Sequence, residues 1–148
     1  MATAPQSSET STPGVDRHSY SADDFKPVVE FGGWLVALMN WSPRFDPGGW
    51  GTLERHPHSD EVFVLLKGRA VLLFDDGAGP QCEEMTPALV YNVRRDTWHN
   101  VIGTRDAQWL IVESQPEAAL PTEFRTLSAD ERAALEARFP QWLTQPRA

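Results

Sequence analysis

An all-β sandwich or barrel, closed by one C-terminal helix, is the fold this sequence predicts. Between Trp34 and Val112 the apolar runs are short, rich in Val, Leu and aromatics, and each is bounded by turn chemistry. No stretch between them keeps a helical period long enough for the crossover that parallel strands require, so the sheets are antiparallel. A chain of 148 residues, 41% hydrophobic, has room for one domain with a real core.

The elements follow in order. Residues 1–14 are Ser, Thr, Pro and Ala with almost no apolar content, which predicts a flexible tail. The runs Trp34–Asn40, Glu61–Leu66, Ala70–Phe74, Ala88–Val93, His99–Ile102 and Gln108–Val112 read as strands. Breakers separate them at Lys67-Gly68, at Asp75 to Pro80, at Arg94-Arg95-Asp96 and at Gly103 to Asp106. A further strand ends at His56, because Pro57 removes a ladder donor and biases its predecessor toward extended geometry. Ser128 and Glu131 have the spacing of a capping box, Glu131 to Arg138 is rich in helix formers, and Pro140 stops the helix. Leu135 and Phe139 then share the face that packs on the outside of the barrel. The domain plan is a tail over 1–14, a β domain over 15–127, and the helix with its tail over 128–148.

Composition excludes several classes. Thirteen basic against 21 acidic residues leave a net charge of −8, which opposes binding to a phosphate backbone and so to nucleic acid. The single Cys82 forms no internal disulfide. The run Trp34–Met39 is far short of the ~20 residues of a membrane span, and the N-terminus has no apolar signal region. These readings predict a cytoplasmic, acidic protein that needs no membrane. The Gly48-Gly49-Trp50-Gly51 stretch lacks the Lys-Ser/Thr ending of a phosphate loop and reads as a connector.

The chemistry gathers around three of the four histidines, His56, His58 and His99, while His18 near the tail has no role. Polar residues from Leu53 to Asp60 run straight into the apolar strand that Glu61 heads. Read as a hairpin, Pro57 to Asp60 is the loop, and His56 and Glu61 face each other across it with Cβ atoms ~5 Å apart. Glu54 shares the His56 face by strand alternation. Glu61 should point inward with Phe63 and Leu65, leaving Val62 and Val64 on the opposite face. An imidazole and a carboxylate converging in this way begin a metal site, and His99, after the Arg94-Arg95-Asp96 turn, is the candidate third ligand. For the fourth place His58 offers the preferred imidazole, whereas Glu54 has the better strand parity. The reading adopts His56, His58, Glu61 and His99, with Glu54 as the alternative to His58.

The run from His56 to Gly68, followed by Trp98-His99, resembles the two motifs of the cupin superfamily, as found in small single-domain bacterial members. Glu61 and Gly68 fit the second half of motif one, G-x5-H-x-H-x3–4-E-x6-G, and the spacer between His56 and Glu61 fits too. If His56 is the second motif histidine, the first falls on Glu54; if His56 and His58 form the pair, the spacer is one residue short. In motif two Arg94 stands for proline, Asp96 for glycine and Gly103 for asparagine, and Asp tolerates the left-handed backbone such a glycine serves.

This resemblance implies a double-stranded β-helix, or jelly-roll barrel, and a homodimer. It also implies a divalent transition metal (Fe, Mn, Ni or Zn) and an enzyme of dioxygenase or isomerase type acting on a small organic molecule in the barrel mouth. Two other readings are a metal-free enzyme like the sugar epimerases of the superfamily and a non-enzymatic barrel that binds or senses a small ligand or metal. The metal-free reading makes His99 or His56 the general base.

Overall fold

The computed structural model describes residues 7–144. Twelve strands run in the order β1 (Ser7–Thr12), β2 (Val15–Tyr20), β3 (Asp24–Phe31), β4 (Trp34–Asn40), β5 (Thr52–Arg55), β6 (Glu61–Lys67), β7 (Ala70–Asp75), β8 (Gln81–Glu84), β9 (Val90–Val93), β10 (Trp98–Gly103), β11 (Gln108–Ser114) and β12 (Glu123–Thr126). Short helices α1 (Gln115–Ala118), α2 (Ala129–Glu136) and α3 (Gln141–Thr144) lie between and after the last strands. One five-stranded sheet has the order β12-β5-β10-β7-β8 and the other β3-β4-β11-β6-β9. Every pairing is antiparallel.

The two sheets enclose the main core, in which Leu35, Met39, Phe63, Leu65, Leu72, Val101, Trp109 and Ile111 are buried. Strand parity accounts for this. On β6, Glu61, Phe63 and Leu65 point inward while Val62 and Val64 are half-buried on the opposite face, as alternation requires. A second cluster lies on the outer face of the first sheet, where Leu53, Val71, Leu73 and Ile102 meet Leu127 and Leu135. The helix α2 is capped as its sequence predicts: Glu131 N–H donates to Ser128 Oγ, and Ser128 N–H donates to Glu131 Oε2. Leu135 is fully buried beneath it, and Phe139 packs on the same cluster.

Three sequence expectations need correction. The segment from residue 7 is not a free tail: β1 pairs with β2 along its whole length, turning at Gly14 (φ +82°), although every β1 residue remains exposed. Ser and Thr accept extended backbone readily and pair across the ladder, as in the 2.7 Å Ser8–Ser19 hydroxyl contact. The remainder of the tail expectation, residues 1–6, lies outside the described residues.

The segment after His56 is not a hairpin loop. Its flanking strands β5 and β6 lie in different sheets, so the chain crosses the barrel there. Loop length alone could not distinguish these outcomes; the longer partners β10 and β11 capture β5 and β6 separately. The strands β3, β8 and β12 were not predicted. All three are sheet edges, where one side needs no apolar pattern, and β3 is further disguised by Pro27 and a register shift between Pro27 and Val29.

Gly68 shows why the Lys67-Gly68 turn takes glycine. Its φ is +76°, and a Cβ there would sit 2.7 Å from the Ala107 backbone. Asp96 adopts φ +66°, so the turn before His99 keeps the left-handed residue expected of it.

Candidate metal centre

Four side chains converge inside one end of the barrel. Glu54 comes from β5 and His99 from the adjacent β10, where the two are register partners on the inner face. His56 follows β5 directly, and Glu61 heads β6 on the facing sheet. One donor atom from each of Glu54, His56, Glu61 and His99 lies within 4.8 Å of all the others. The crossover makes this possible, because it carries the chain from His56 on one sheet to Glu61 on the other.

The crossover is fastened to the β9–β10 turn. Asp96 N–H donates to the His56 carbonyl at 2.9 Å. Asp60 accepts from Asn92 Nδ2 at 2.8 Å and from the Arg95 N–H at 2.9 Å. The segments that carry His56, Glu61 and His99 are thereby held together by backbone and side-chain hydrogen bonds independent of the four converging groups.

Glu61 is the hub. Its Oε2 stands 2.8 Å from His99 Nε2 and 3.2 Å from His56 Nε2, and only 6% of the residue is exposed. Burial by itself raises the pKa of such a carboxyl, but hydrogen bonds and charge from both imidazoles prevail and lower it from 4.5 to about 2. The same bond to Glu61 raises His56 from 6.5 to about 9 against the effect of desolvation. His99, 1% exposed, is opposed by burial yet also raised, by Glu61 first and then Glu54. Glu54 is raised by burial and then by the charge of Glu61.

His99 Nδ1 donates to the Thr97 carbonyl at 2.9 Å, which directs Nε2 toward the cluster. An imidazole held by a backbone carbonyl on one nitrogen presents the other as a ligand, the usual arrangement of metal-binding histidine. Phe63 meets the same ring edge-on, with centroids 5.7 Å apart. The donor set suits a divalent transition metal: two imidazoles and two carboxylates, all nitrogen or oxygen, in a partly dry site.

Of the residues expected from sequence, His56, Glu61 and His99 meet. His58 is exposed in the crossover and stays outside the group, and Glu54 occupies the fourth position. The reason is alternation: Glu54 shares the inner face with His56, whereas the turn after Pro57 carries His58 to the surface.

The cluster opens into a cavity of about 250 Å³ whose walls include Phe25, Met39, Phe63, Phe124, Arg44 and Glu113. Sequence reading passed over Glu113. Its signal was strand parity with Trp109 and Ile111, which places it on the inward face beside Glu61. It is 8% exposed, and burial followed by the charge of Glu61 lifts its pKa from 4.5 to about 7.

No family model matches the chain, and no curated protein matches it by sequence. Among solved structures it is similar to a cupin-2 domain containing protein from Shewanella frigidimarina, with a TM-score of 0.51 and 16% identity over 65% of this chain and 85% of that one. The antiparallel double sheet is therefore the cupin fold. Weaker likenesses include oxalate decarboxylase of Bacillus subtilis (15% identity, TM-score 0.43, 55% of this chain and 21% of that one). Another is the vicilin of Solanum melongena (10% identity, TM-score 0.45, 64% of this chain and 24% of that one). No helix among the described residues is long and apolar enough to cross a membrane.

Proposed function

We propose that this protein is a metal-dependent enzyme, an oxidoreductase of dioxygenase type or an isomerase, acting on a small organic molecule in the barrel mouth. The observation that carries the reading is the convergence of Glu54, His56, Glu61 and His99 within 4.8 Å, with Glu54, His56 and Glu61 lining an open cavity. These four residues hold the cation, and His58 does not take part. A divalent metal supplies Lewis acidity and a place where a substrate oxygen is polarised. The chain's own contribution is to fix the His99 ring through Thr97, to neutralise the cation with two carboxylates, and to wall the reacting region with Phe25, Phe63 and Phe124.

One observation weighs against a metal-free enzyme with His99 as general base. Both ring nitrogens of His99 are engaged, Nδ1 with Thr97 and Nε2 with Glu61, so neither is turned to a substrate. Elemental analysis of untagged protein tests the proposal. About one bound transition-metal ion per chain, lost in Glu61→Gln, supports it; a metal-free wild-type protein sinks it. A turnover screen on loaded protein then separates catalysis from mere ligand binding.

We also infer a homodimer formed through the outer face of the second sheet. Two registered apolar rows cross that face, Val36–Val112–Val62 and Leu38–Leu110–Val64–Val90, and Phe31 and Trp34 lie at its end. Phe31 is 72% exposed. An apolar sheet face of this breadth is a docking surface, and an isologous pair buries the same face on both copies.

A further inference from the structure

The cavity beside the cluster contains an acid whose carboxyl faces the open space rather than a protein partner. Glu113 lines it and is 8% exposed, yet no hydrogen bond or ion pair to its carboxyl forms among the described residues. Its oxygens stay reachable from the cavity, so a polar group of a guest can bond them directly. Its position is fixed by pairing on both sides, since Glu113, the penultimate residue of β11, lies directly opposite Glu61 on one side and Leu35 on the other.

We propose that Glu113 is the anchor for the substrate, and that the substrate is a small apolar molecule carrying an ammonium group. This inference rests on reading the cavity as the substrate pocket, and three features of the cavity lead to it. Apolar side chains, Phe25, Met39, Phe63 and Phe124, share its walls with the acids. At about 250 Å³ it falls below the range typical of drug-sized ligands, so the guest is small.

The charges select the polar end of the guest. Glu54, Glu61 and Glu113 all line the cavity. Glu117 on α1, itself buried, acts on Glu113 as a further negative charge. Arg44, the guanidinium in the wall, is already engaged, since its Nε and Nη2 both donate to Asp24 Oδ1 at 3.1 and 2.7 Å. A divalent cation held by Glu54 and Glu61 would offset those two carboxylates, leaving Glu113 as the cavity carboxylate outside that pairing. An ammonium satisfies both its charge and its open lone pairs, whereas a carboxylate-bearing guest meets repulsion there.

The test uses three probes of one shape, benzylammonium, benzyl alcohol and benzoate, titrated into the full-length protein as purified, at pH 8, with binding followed by calorimetry and metal content measured on the same samples. Wild-type protein should bind benzylammonium at least about tenfold more tightly than benzoate, with the alcohol between them. Glu113→Gln should erase at least about tenfold of the benzylammonium affinity while leaving metal content unchanged. Benzoate binding as tightly as benzylammonium overturns the inference, and so does an undiminished affinity in Glu113→Gln. The wild-type order decides the matter even if the variant fails to fold. The two readings fail separately: metal-free protein that keeps the Glu113-dependent ammonium preference sinks the metalloenzyme, whereas metal-loaded protein without that preference sinks only this assignment.

Discussion

His99 Nε2 and Glu61 Oε2 lie 2.8 Å apart although their residues are 38 positions apart in sequence and on opposite sheets of the barrel. This contact, together with the 3.2 Å approach of His56 to the same oxygen, ties the two halves of the site through one carboxylate. It also sets how the site responds to substitution and to pH.

Single alanine variants at Glu54, His56, Glu61 and His99 should each lower transition-metal occupancy measured by mass spectrometry of the elements. Loss should be deepest at Glu61 and His99, the two buried members, since losing a ligand or the partner that orients it costs about 10–100-fold in affinity. His58→Ala should keep full occupancy. Loss at His58 with retention at Glu54 would move the fourth ligand to the crossover loop.

Metal-free protein should be most stable in mildly acidic solution. Glu61, lowered from 4.5 to about 2, contributes stability that is present above pH 4.5 and disappears as pH falls toward 2. His56, raised from 6.5 to about 9, contributes stability that is present below pH 6.5 and is lost as pH rises through 9. Glu113, raised from 4.5 to about 7, adds a penalty that grows over that interval, because the folded state then holds the extra proton. Thermal midpoints of chelator-treated protein should therefore peak near pH 4.5–6.5 and decline toward pH 9. A midpoint rising steadily from pH 6 to 9 without metal would contradict the hydrogen-bonded cluster.

Metal binding should follow the opposite trend, because a proton must leave His56 before its Nε2 can serve as a ligand. Affinity measured by competition with a chelator should climb between pH 6.5 and about 9, the interval over which His56 is raised. A flat profile would mean that His56 stays outside the coordination sphere.

Leu135 is fully buried between α2 and the first sheet. Leu135→Ala should destabilise the fold by about 2–5 kcal/mol in denaturant unfolding. Ser128→Ala, which removes the cap from the same helix, should cost about 1 kcal/mol. Equal, negligible effects would show that α2 is not part of the cooperative unit.

Val64→Asp on the outer face of the second sheet should shift sedimentation to the monomer without changing metal content, because Val64 points away from the cluster. Deleting residues 1–14 removes β1, whose residues are all exposed, and should leave the thermal midpoint of the monomer within about 5 °C, the change that 1 kcal/mol produces in a domain of this size. A larger loss would show that the hairpin is docked.

Much of the barrel was legible along the chain because its central strands are buried on the inner face and bounded by turn residues. β4 runs from Trp34 to Asn40, as its pattern predicts, and Glu61, Phe63 and Leu65 point inward by alternation alone. The capping box of α2 was equally readable, since Ser128 and Glu131 act within one turn of helix. His56, Glu61 and His99 were expected to meet on residue type and spacing, but through a hairpin; the crossover between the sheets brings them together instead.

What local pattern could not supply was partner choice. Nothing within a few residues of Pro57 says whether β5 pairs with β6 or crosses to another sheet; that is decided by β10 and β11, which come much later in the chain. The crossing places Glu54 in the cluster and His58 at the surface, and it brings Glu113 against Glu61 from a neighbouring strand. Residue chemistry and alternation are local properties that the sequence determines by itself. The fourth member of the cluster and the cavity-facing Glu113 depend on which strands lie side by side, and only the closed barrel decides that.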